Sequence, residues 1–168
     1  MNAQIEKVRF EDKAVLQNLL ELCQHDYSEF EDKDVNEHGL FGYHYLDHYW
    51  TEEGRHAFFV RVSGKLAGFA LVRRHEAEGK TWRSLTEFFI LRKYRHQSVG
   101  QAVAFQVFDA LPGLWKVHQE EGNVPAQLFW RKVIGRYTGN SYREVQEQEW
   151  QGPIQEFISP TKLANING

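Results

Sequence analysis

Residues 87–101, EFFILRKYRHQSVGQ, constrain the fold more than any other part of the chain. The first half is an aromatic and β-branched run, typical of a strand. The second half opens a segment, 99–111, in which apolar residues recur at helical spacing. The basic turn between them contains Ser98 and Gly100, small residues that let a ligand approach the backbone. The pattern predicts a strand, an anion-binding loop and a helix whose first N–H groups face a pyrophosphate-sized ligand.

This segment resembles motif A of the GNAT superfamily of acetyl-CoA-dependent N-acetyltransferases, whose usual pattern is Arg/Gln-x-x-Gly-x-Gly/Ala. Two registers fit it. Arg95-x-x-Ser98-x-Gly100 keeps the distance from the strand and places Ser98 where the family usually has Gly, whereas Gln97-x-x-Gly100-x-Ala102 matches the letters. We prefer the first register, although both use the same backbone.

A second segment, 123–132 (NVPAQLFWRK), is similar to the family's motif B, Asn-x-x-Ala-x-x-Phe-Tyr-x-Lys, and matches it without gaps. The departure is Trp130, which stands where the family has its frequent general acid, a tyrosine. An indole N–H cannot donate a proton at accessible pH. Either water or another residue, with Tyr137 as a guess, reprotonates CoA, or the protein binds CoA without catalysing transfer.

The remaining pattern fits one domain. The resemblance implies an α/β (α+β) fold of GNAT type, with a mixed, mostly antiparallel sheet of about seven strands flanked by about four helices. We expect the domain to span residues 1–160, followed by a loosely ordered tail at 161–168. Strands are expected near Val8 and Phe10 and at 57–62, 66–73, 82–91, 114–119, 142–150 and 154–158, the last two separated by Gly152-Pro153; helices are expected at 15–23, within 39–50, at 99–111 and in motif B.

The charge and hydropathy of the chain argue against nucleic-acid and membrane partners. The 168 residues carry a net charge of −3 and a pI near 6.2, which gives no general attraction to nucleic acid. No stretch approaches the roughly 18 apolar residues of a membrane span, and the start lacks a signal-peptide pattern. We therefore expect no nucleic-acid or membrane partner, a cytoplasmic location, and a monomer or homodimer. The single cysteine, Cys23, lies among leucines on a helix and is expected in the core.

The resemblance implies acetyl-CoA as co-substrate and no metal. The strand backbone would pair with the pantetheine arm, with the Ile90 N–H facing the thioester carbonyl. The loop would hold the pyrophosphate, and Arg95 would add a charge-assisted contact. Asn123 would contact the cofactor or separate the neighbouring strands. The residues assigned to cofactor binding are Phe88, Phe89, Ile90, Arg95, His96, Gln97, Ser98, Val99, Gly100, Gln101, Asn123, Phe129 and Trp130.

Acetylation of an amine requires a proton acceptor, because an ammonium must lose a proton before the nitrogen can attack. Glu87 precedes the motif A strand residues, and His118 and Glu120 lie on the strand expected to diverge and admit the cofactor. We favour Glu87, whose pKa apolar surroundings would raise, over His118 and Glu120. Each of the three also fits an ordinary structural or surface position.

The acceptor prediction rests on an acidic run, 29–34, followed by an aromatic segment, 41–50. Together they favour a small cationic amine, although a solvated loop beside a core patch is an equal alternative. The assigned residues are Tyr27, Phe30, Glu31, Asp32, Tyr43 and Tyr45. His44 and His48 have a spacing that can bind zinc, but the segment lacks the internal Glu of the protease motif, so we expect no metal.

The leading hypothesis is therefore an N-acetyltransferase that acts on a primary amine by direct attack in a ternary complex. A non-catalytic acyl-CoA-binding or sensor module is the first alternative, suggested by Trp130. The second is an acetyltransferase for protein N-termini or lysines, which would need an open groove in place of the aromatic segment.

Overall fold

A computed structural model describes residues 2–162. Its core is one mixed, seven-stranded sheet with strand order β1-β2-β3-β4-β5-β7-β6, in which only β4 and β5 pair in parallel. The expected fold class is confirmed, with four α-helices within the described residues. The strands are β1 (Ala3–Lys7), β2 (Arg55–Val62), β3 (Lys65–Ala77), β4 (Lys80–Ile90), β5 (Gly113–His118), β6 (Arg143–Glu147) and β7 (Trp150–Ser159); the helices are α1 (Lys13–Tyr27), α2 (His48–Thr51), α3 (Val99–Ala110) and α4 (Val124–Thr138).

Helices cover both faces of the sheet. On one face, α3 and α4 bury a cluster that includes Phe108, Trp115 and Ile134. On the other, α1 and α2 bury a cluster that includes Leu16 and Phe69. Apolar residues three and four positions apart lie on one side of a helix, so each amphipathic helix covers one face of the sheet. The two faces are called the α3 face and the α1 face below.

Two strand predictions were wrong in position. The first strand is Ala3–Lys7, not the Val8 and Phe10 region; Val8 is buried just after it, and Phe10 is 60% exposed in a 3-10 turn. The Gly152-Pro153 pair lies inside β7, and the turn precedes Trp150. Pro153 lacks an N–H for the ladder, and the register between β6 and β7 shifts in this region.

The parallel strands β4 and β5 separate soon after they meet. Their register contains one pair, Arg83 opposite Trp115. Beyond it β5 stays with β7, because the Gln119 N–H donates to the Pro153 carbonyl at 3.1 Å. The buried amides of Gln119 and Gln155 also donate to each other, at 2.7 and 2.8 Å. These contacts draw the end of β5 away from β4 and open a cleft between the two strands.

No helix in residues 2–162 is long and apolar enough to cross a lipid bilayer. Of the expected C-terminal tail, residues 163–168 lie outside the described part of the chain. The domain boundary at residue 160 therefore stays a prediction.

Candidate active site

The cleft between β4 and β5 has a volume of about 850 Å³ and is the candidate active site. Its walls come from the second half of β4, the end of β5, the C-terminal end of α1 with the loop that follows, the loop before α3, and the first turns of α4. Residues distant in sequence thus meet where the sheet splits. A concave site at a break in a sheet is a common place for a ligand.

The loop before α3 contains two residues in a left-handed backbone conformation. His96 and Ser98 adopt left-handed conformations, with φ of 60° and 61°. Such a conformation costs a residue with a side chain about 1 kcal/mol, and strained backbone of this kind clusters at functional sites. Because the Ser98 position is one that glycine adopts more readily, the geometry supports the register in which Ser98 replaces the usual glycine.

Gly100 allows α3 and α4 to approach each other closely at this loop. A Cβ atom at Gly100 would lie 3.0 Å from the ring of Phe129 on α4. The absence of a side chain therefore lets Phe129 pack against the first turn of α3. On α4, the Asn123 side chain accepts a hydrogen bond from the Ala126 N–H at 3.1 Å, so it caps the helix at the edge of the cleft.

One edge of β4 faces the cleft without a partner strand. The Leu91 N–H donates to Ala67 of β3, and alternation along a strand then turns the N–H and C=O groups of Phe88 and Ile90 away from β3. Two side chains confirm this direction, because the Tyr27 hydroxyl donates to the Phe88 carbonyl at 3.1 Å and Arg95 Nε donates to the Ile90 carbonyl at 2.7 Å. The N–H groups of Phe88 and Ile90 thus point into the cleft.

Arg95 links the loop to the end of α1. Besides its bond to Ile90, its guanidinium donates to Asp26 at 2.5 Å, and Arg92 donates to the same carboxylate at 2.9 Å. Burial acts to raise the pKa of Asp26, but the hydrogen bonds from the two arginines outweigh it and lower the pKa. The guanidinium of Arg95 therefore has two protein partners, and its contact with pyrophosphate stays a prediction.

A β-bulge orients Glu87. Leu71 lies opposite Glu87, whereas Val72 lies opposite Leu85, so Thr86 is an extra residue in β4. Strict alternation would put Leu85 and Glu87 on the same face. Instead, Leu85 packs on the α3 face, and Glu87 lies on the α1 face, where it accepts a hydrogen bond from the buried Cys23 thiol at 3.8 Å. Bulges re-aim side chains in this way beside many active sites.

Glu87 has the pKa of a base that can work near neutral pH. Burial, and then repulsion from Glu31, raise its pKa from 4.5 to about 7. The same two effects raise the pKa of Glu120. Burial lowers the pKa of His118, whose ring lies edge-on to Trp150 at 5.3 Å. All three base candidates line the cleft, and Glu87 fits best, because a general base is most effective with a pKa near the working pH.

Tyr137, the residue considered as a substitute for the motif B tyrosine, is not placed to act as a general acid in the cleft. Trp130 is buried, with its ring edge-on to Phe88 at 4.9 Å. Tyr137 does not line the cleft. Its hydroxyl donates to Asp109 at 2.8 Å and lies 2.7 Å from Ser159 Oγ.

Most residues assigned from sequence meet in this cleft. Their roles in catalysis, cofactor binding and acceptor binding stay predictions. From the cofactor assignment, Gln97, Ser98, Val99 and Gln101 do not line the cleft; from the acceptor assignment, Asp32, Tyr43 and Tyr45 do not. The assigned residues that line it are Glu87, His118 and Glu120; Phe88, Phe89, Ile90, Arg95, His96, Gly100, Asn123, Phe129 and Trp130; and Tyr27, Phe30 and Glu31.

Four residues that line the cleft, His75, Trp82, Glu147 and Trp150, were not predicted from the sequence. His75 stacks on Trp82 at 5.3 Å and lies 2.7 Å from Ser84 Oγ, and Glu147 and Trp150 also line the cleft. The turn between β3 and β4 carried a signal, because a hairpin register about Glu78-Gly79 places His75 opposite Trp82, as observed. No sequence signal placed Trp150 in the cleft, since its position depends on the long-range pairing of β5 with β7.

Among the described residues, no group of three or more His, Cys, Asp and Glu side chains is arranged to hold a metal ion. Tyr45, beside the two histidines considered for zinc, is 70% exposed and stacks on His48. His48 lies 3.2 Å from Glu52 at helical spacing.

Comparison with known proteins identifies the same family. A model of the acetyltransferase (GNAT) family matches residues 16–135. Similar solved structures include an acetyltransferase from Thermus thermophilus (13% identity, TM-score 0.68, 94% of this chain and 97% of that chain) and a GNAT-family acetyltransferase from Staphylococcus aureus (12%, 0.64, 95% and 100%). Another is the PaiA N-acetyltransferase of Thermoplasma acidophilum in complex with coenzyme A (13%, 0.60, 93% and 98%). No curated protein sequence matches significantly.

Proposed function

The chain belongs to the acetyltransferase (GNAT) family and is an acyltransferase, and on this premise we propose that it transfers an acetyl group from acetyl-CoA to a small cationic primary amine. Transfer is direct, within a ternary complex of enzyme, acetyl-CoA and amine. No covalent acyl-enzyme forms.

The observation that carries the proposal is the separation of β4 from β5 beside the N-terminus of α3. The separation leaves the Phe88 and Ile90 N–H groups facing the cleft, where they suit the amide and thioester oxygens of an extended pantetheine arm. The first N–H groups of α3 suit the pyrophosphate at the other end of that arm. An extended donor would lie along β4 with its thioester near Glu87.

Glu87 acts as the general base. Its carboxylate takes a proton from the bound ammonium, directly or through one water, and the neutral amine attacks the thioester carbonyl. A backbone N–H of β4 stabilises the negative charge that develops on the carbonyl oxygen. This division of roles requires Glu87 to be largely ionised just above neutral pH, as a pKa of about 7 allows.

The acceptor is cationic because carboxylates gather on the side of the cleft where it would enter. Glu31 lies near enough to Glu87 and Glu120 to raise the pKa of each, and Glu29 also lines the cleft. A positive group relieves this repulsion and is drawn to the site. Trp82 and Trp150, which also line the cleft, supply apolar surface for the rest of the acceptor.

The test measures CoA release with two acceptors matched in length, 1,4-diaminobutane and 4-amino-1-butanol. The diamine should have the higher kcat/KM, and its advantage should shrink as salt is added, since salt screens exposed charges. The diamine keeps a second ammonium when its reacting nitrogen is deprotonated, whereas the amino alcohol does not. Equal kcat/KM for the pair, after correction for the two equivalent nitrogens of the diamine, would refute an acceptor with a second positive charge. If the protein binds acetyl-CoA but acetylates no member of a broad amine panel, the non-catalytic acyl-CoA-binding alternative replaces the proposal.

A further inference from the structure

The family's motif B tyrosine is absent here, yet the cleft contains a tyrosine from another element. Tyr27, at the last position of α1, is the only tyrosine among the described residues that line the cleft. We propose that Tyr27 passes a proton to the CoA sulfur as it leaves, in place of the missing motif B tyrosine. This inference rests on the proposed function and names a further catalytic residue for it.

The position of the phenol supports this role. Its hydroxyl donates to the Phe88 carbonyl at 3.1 Å. That carbonyl lies between the N–H groups of Phe88 and Ile90 along the open edge of β4. The hydroxyl is therefore held at the strand edge along which the thioester would bind, and a rotation about the C–O bond redirects its proton from the carbonyl to a neighbouring atom.

The surroundings keep the phenol protonated. Burial, and then the nearby Cys23 and Glu87, raise the pKa of Tyr27 well above its ordinary value of 10. Cys23 is on the same helix, and its own pKa is raised by burial and by Glu87. Glu87 projects from β4, and Glu31 of the following loop acts on Glu87 in turn. A neutral hydroxyl can donate one proton while it accepts another.

The proton transfer balances without a free phenolate. When the amine attacks, its nitrogen bonds to the carbonyl carbon and becomes positively charged. The C–S bond then breaks, and the sulfur keeps the electron pair and takes the Tyr27 proton. The phenol oxygen takes the proton that the nitrogen loses. The products are the amide and CoA thiol, and Tyr27 is unchanged.

The experiment compares Tyr27→Phe, which removes only the hydroxyl, with two donors, acetyl-CoA and its oxygen-ester analogue. An alkoxide leaves far less readily than a thiolate and depends more on an acid. We expect Tyr27→Phe to keep the wild-type Kd for acetyl-CoA and to lower kcat about 10-fold with the thioester. With the oxygen ester the loss should be larger, about 10²-fold or more, within the range typical of a lost general acid.

Tyr137→Phe is the matched control, since its hydroxyl bonds to Asp109 outside the cleft; it should leave kcat unchanged with both donors. A structural role for Tyr27 would lower kcat by the same factor with both donors, and that result, or wild-type kcat for Tyr27→Phe, overturns the inference while the proposed function stands. If the wild-type protein transfers no acetyl group, the proposed function fails and the inference fails with it.

Discussion

Glu87→Gln should make the protein more stable at alkaline pH while it removes the general base. The folded protein holds the Glu87 proton with a pKa of about 7, against 4.5 ordinarily. Because the folded state binds this proton more tightly than the unfolded chain, wild-type stability falls as pH rises from about 4.5 through 7. At 1.36 kcal/mol for each unit between the two pKa values, full ionisation of Glu87 lowers the free energy of unfolding by about 3 kcal/mol. Solvent at the cleft mouth reduces this loss to about 2 kcal/mol.

The measurement is the free energy of unfolding in denaturant at pH 5, 7 and 9, for wild type and Glu87→Gln. The two proteins should agree within about 0.5 kcal/mol at pH 5, and the variant should be more stable by about 2 kcal/mol at pH 9. Glu78→Gln, an exposed carboxyl on the turn between β3 and β4, is the control and should show no such divergence. Parallel stability curves for wild type and Glu87→Gln would refute the argument.

The same variant should lose activity. Without the carboxylate, kcat/KM at neutral pH should fall by about 10²- to 10⁴-fold, and part of the loss should be recovered as rising pH supplies free amine. The Kd for acetyl-CoA should not change. If Glu87→Gln keeps the wild-type pH profile and a change at His118 or Glu120 flattens it, the base lies on the end of β5 instead.

Three further predictions concern the cofactor loop, the strand split and the acceptor. Gly100→Val should weaken CoA binding about 10-fold or more by calorimetry, because the new side chain meets the Phe129 ring, 3.0 Å from the Cβ position. Gly152→Ala should destabilise the protein by about 3 kcal/mol in denaturant, because its Cβ would lie 2.1 Å from the Gln119 carbonyl. Glu31→Gln should raise KM for the diamine about 3- to 10-fold and leave KM for acetyl-CoA unchanged.

Each of the three has a control at a neighbouring or equivalent position. Gly122→Val places the same side chain where nothing lies within 4 Å, and it should bind CoA like wild type. The Cβ atom of Gly139→Ala would have no atom within 4 Å, but the residue keeps a left-handed φ of 59°. This variant should therefore lower the free energy of unfolding by only about 1 kcal/mol. Asp32→Asn changes the residue next to Glu31, outside the cleft lining. In each case, an equal effect of variant and control would contradict the stated cause.

The strand, loop and helix proposed to bind the cofactor could be located from the sequence because their signals are local. The strand at 87–90, the loop with Ser98 and the helix that starts at Val99 follow one another directly, and each is encoded by periodicity or small residues within a few positions. Motif B is local for the same reason, since its Asn123 cap and apolar spacing form one helix. Short-range sequence patterns therefore indicated these elements, and the resemblance of the two motifs to the family implied the fold class.

The catalytic side depended on contacts between distant segments. Whether Glu87 faces the α1 face or the α3 face is decided by the bulge at Thr86, which arises from the register of β3 against β4. The phenol of Tyr27 reaches the edge of β4 only because α1 packs across the sheet, 61 residues away in sequence. Trp150 reaches the cleft only through the pairing of β7 with β5.

By itself the sequence determined most of the helices and strands and the loop at the N-terminus of α3, because helical and strand periodicities and glycine positions act over a few residues. The two motifs carried the resemblance to the family. Tertiary structure alone decided where the sheet opens and which titratable groups face the opening. Such properties depend on strand register and on burial, which raises the Glu87 pKa by excluding water from the carboxylate. Side chains from α1, from β4 and from the loops that follow them exclude water together. No local stretch of sequence therefore encodes the raised pKa of Glu87.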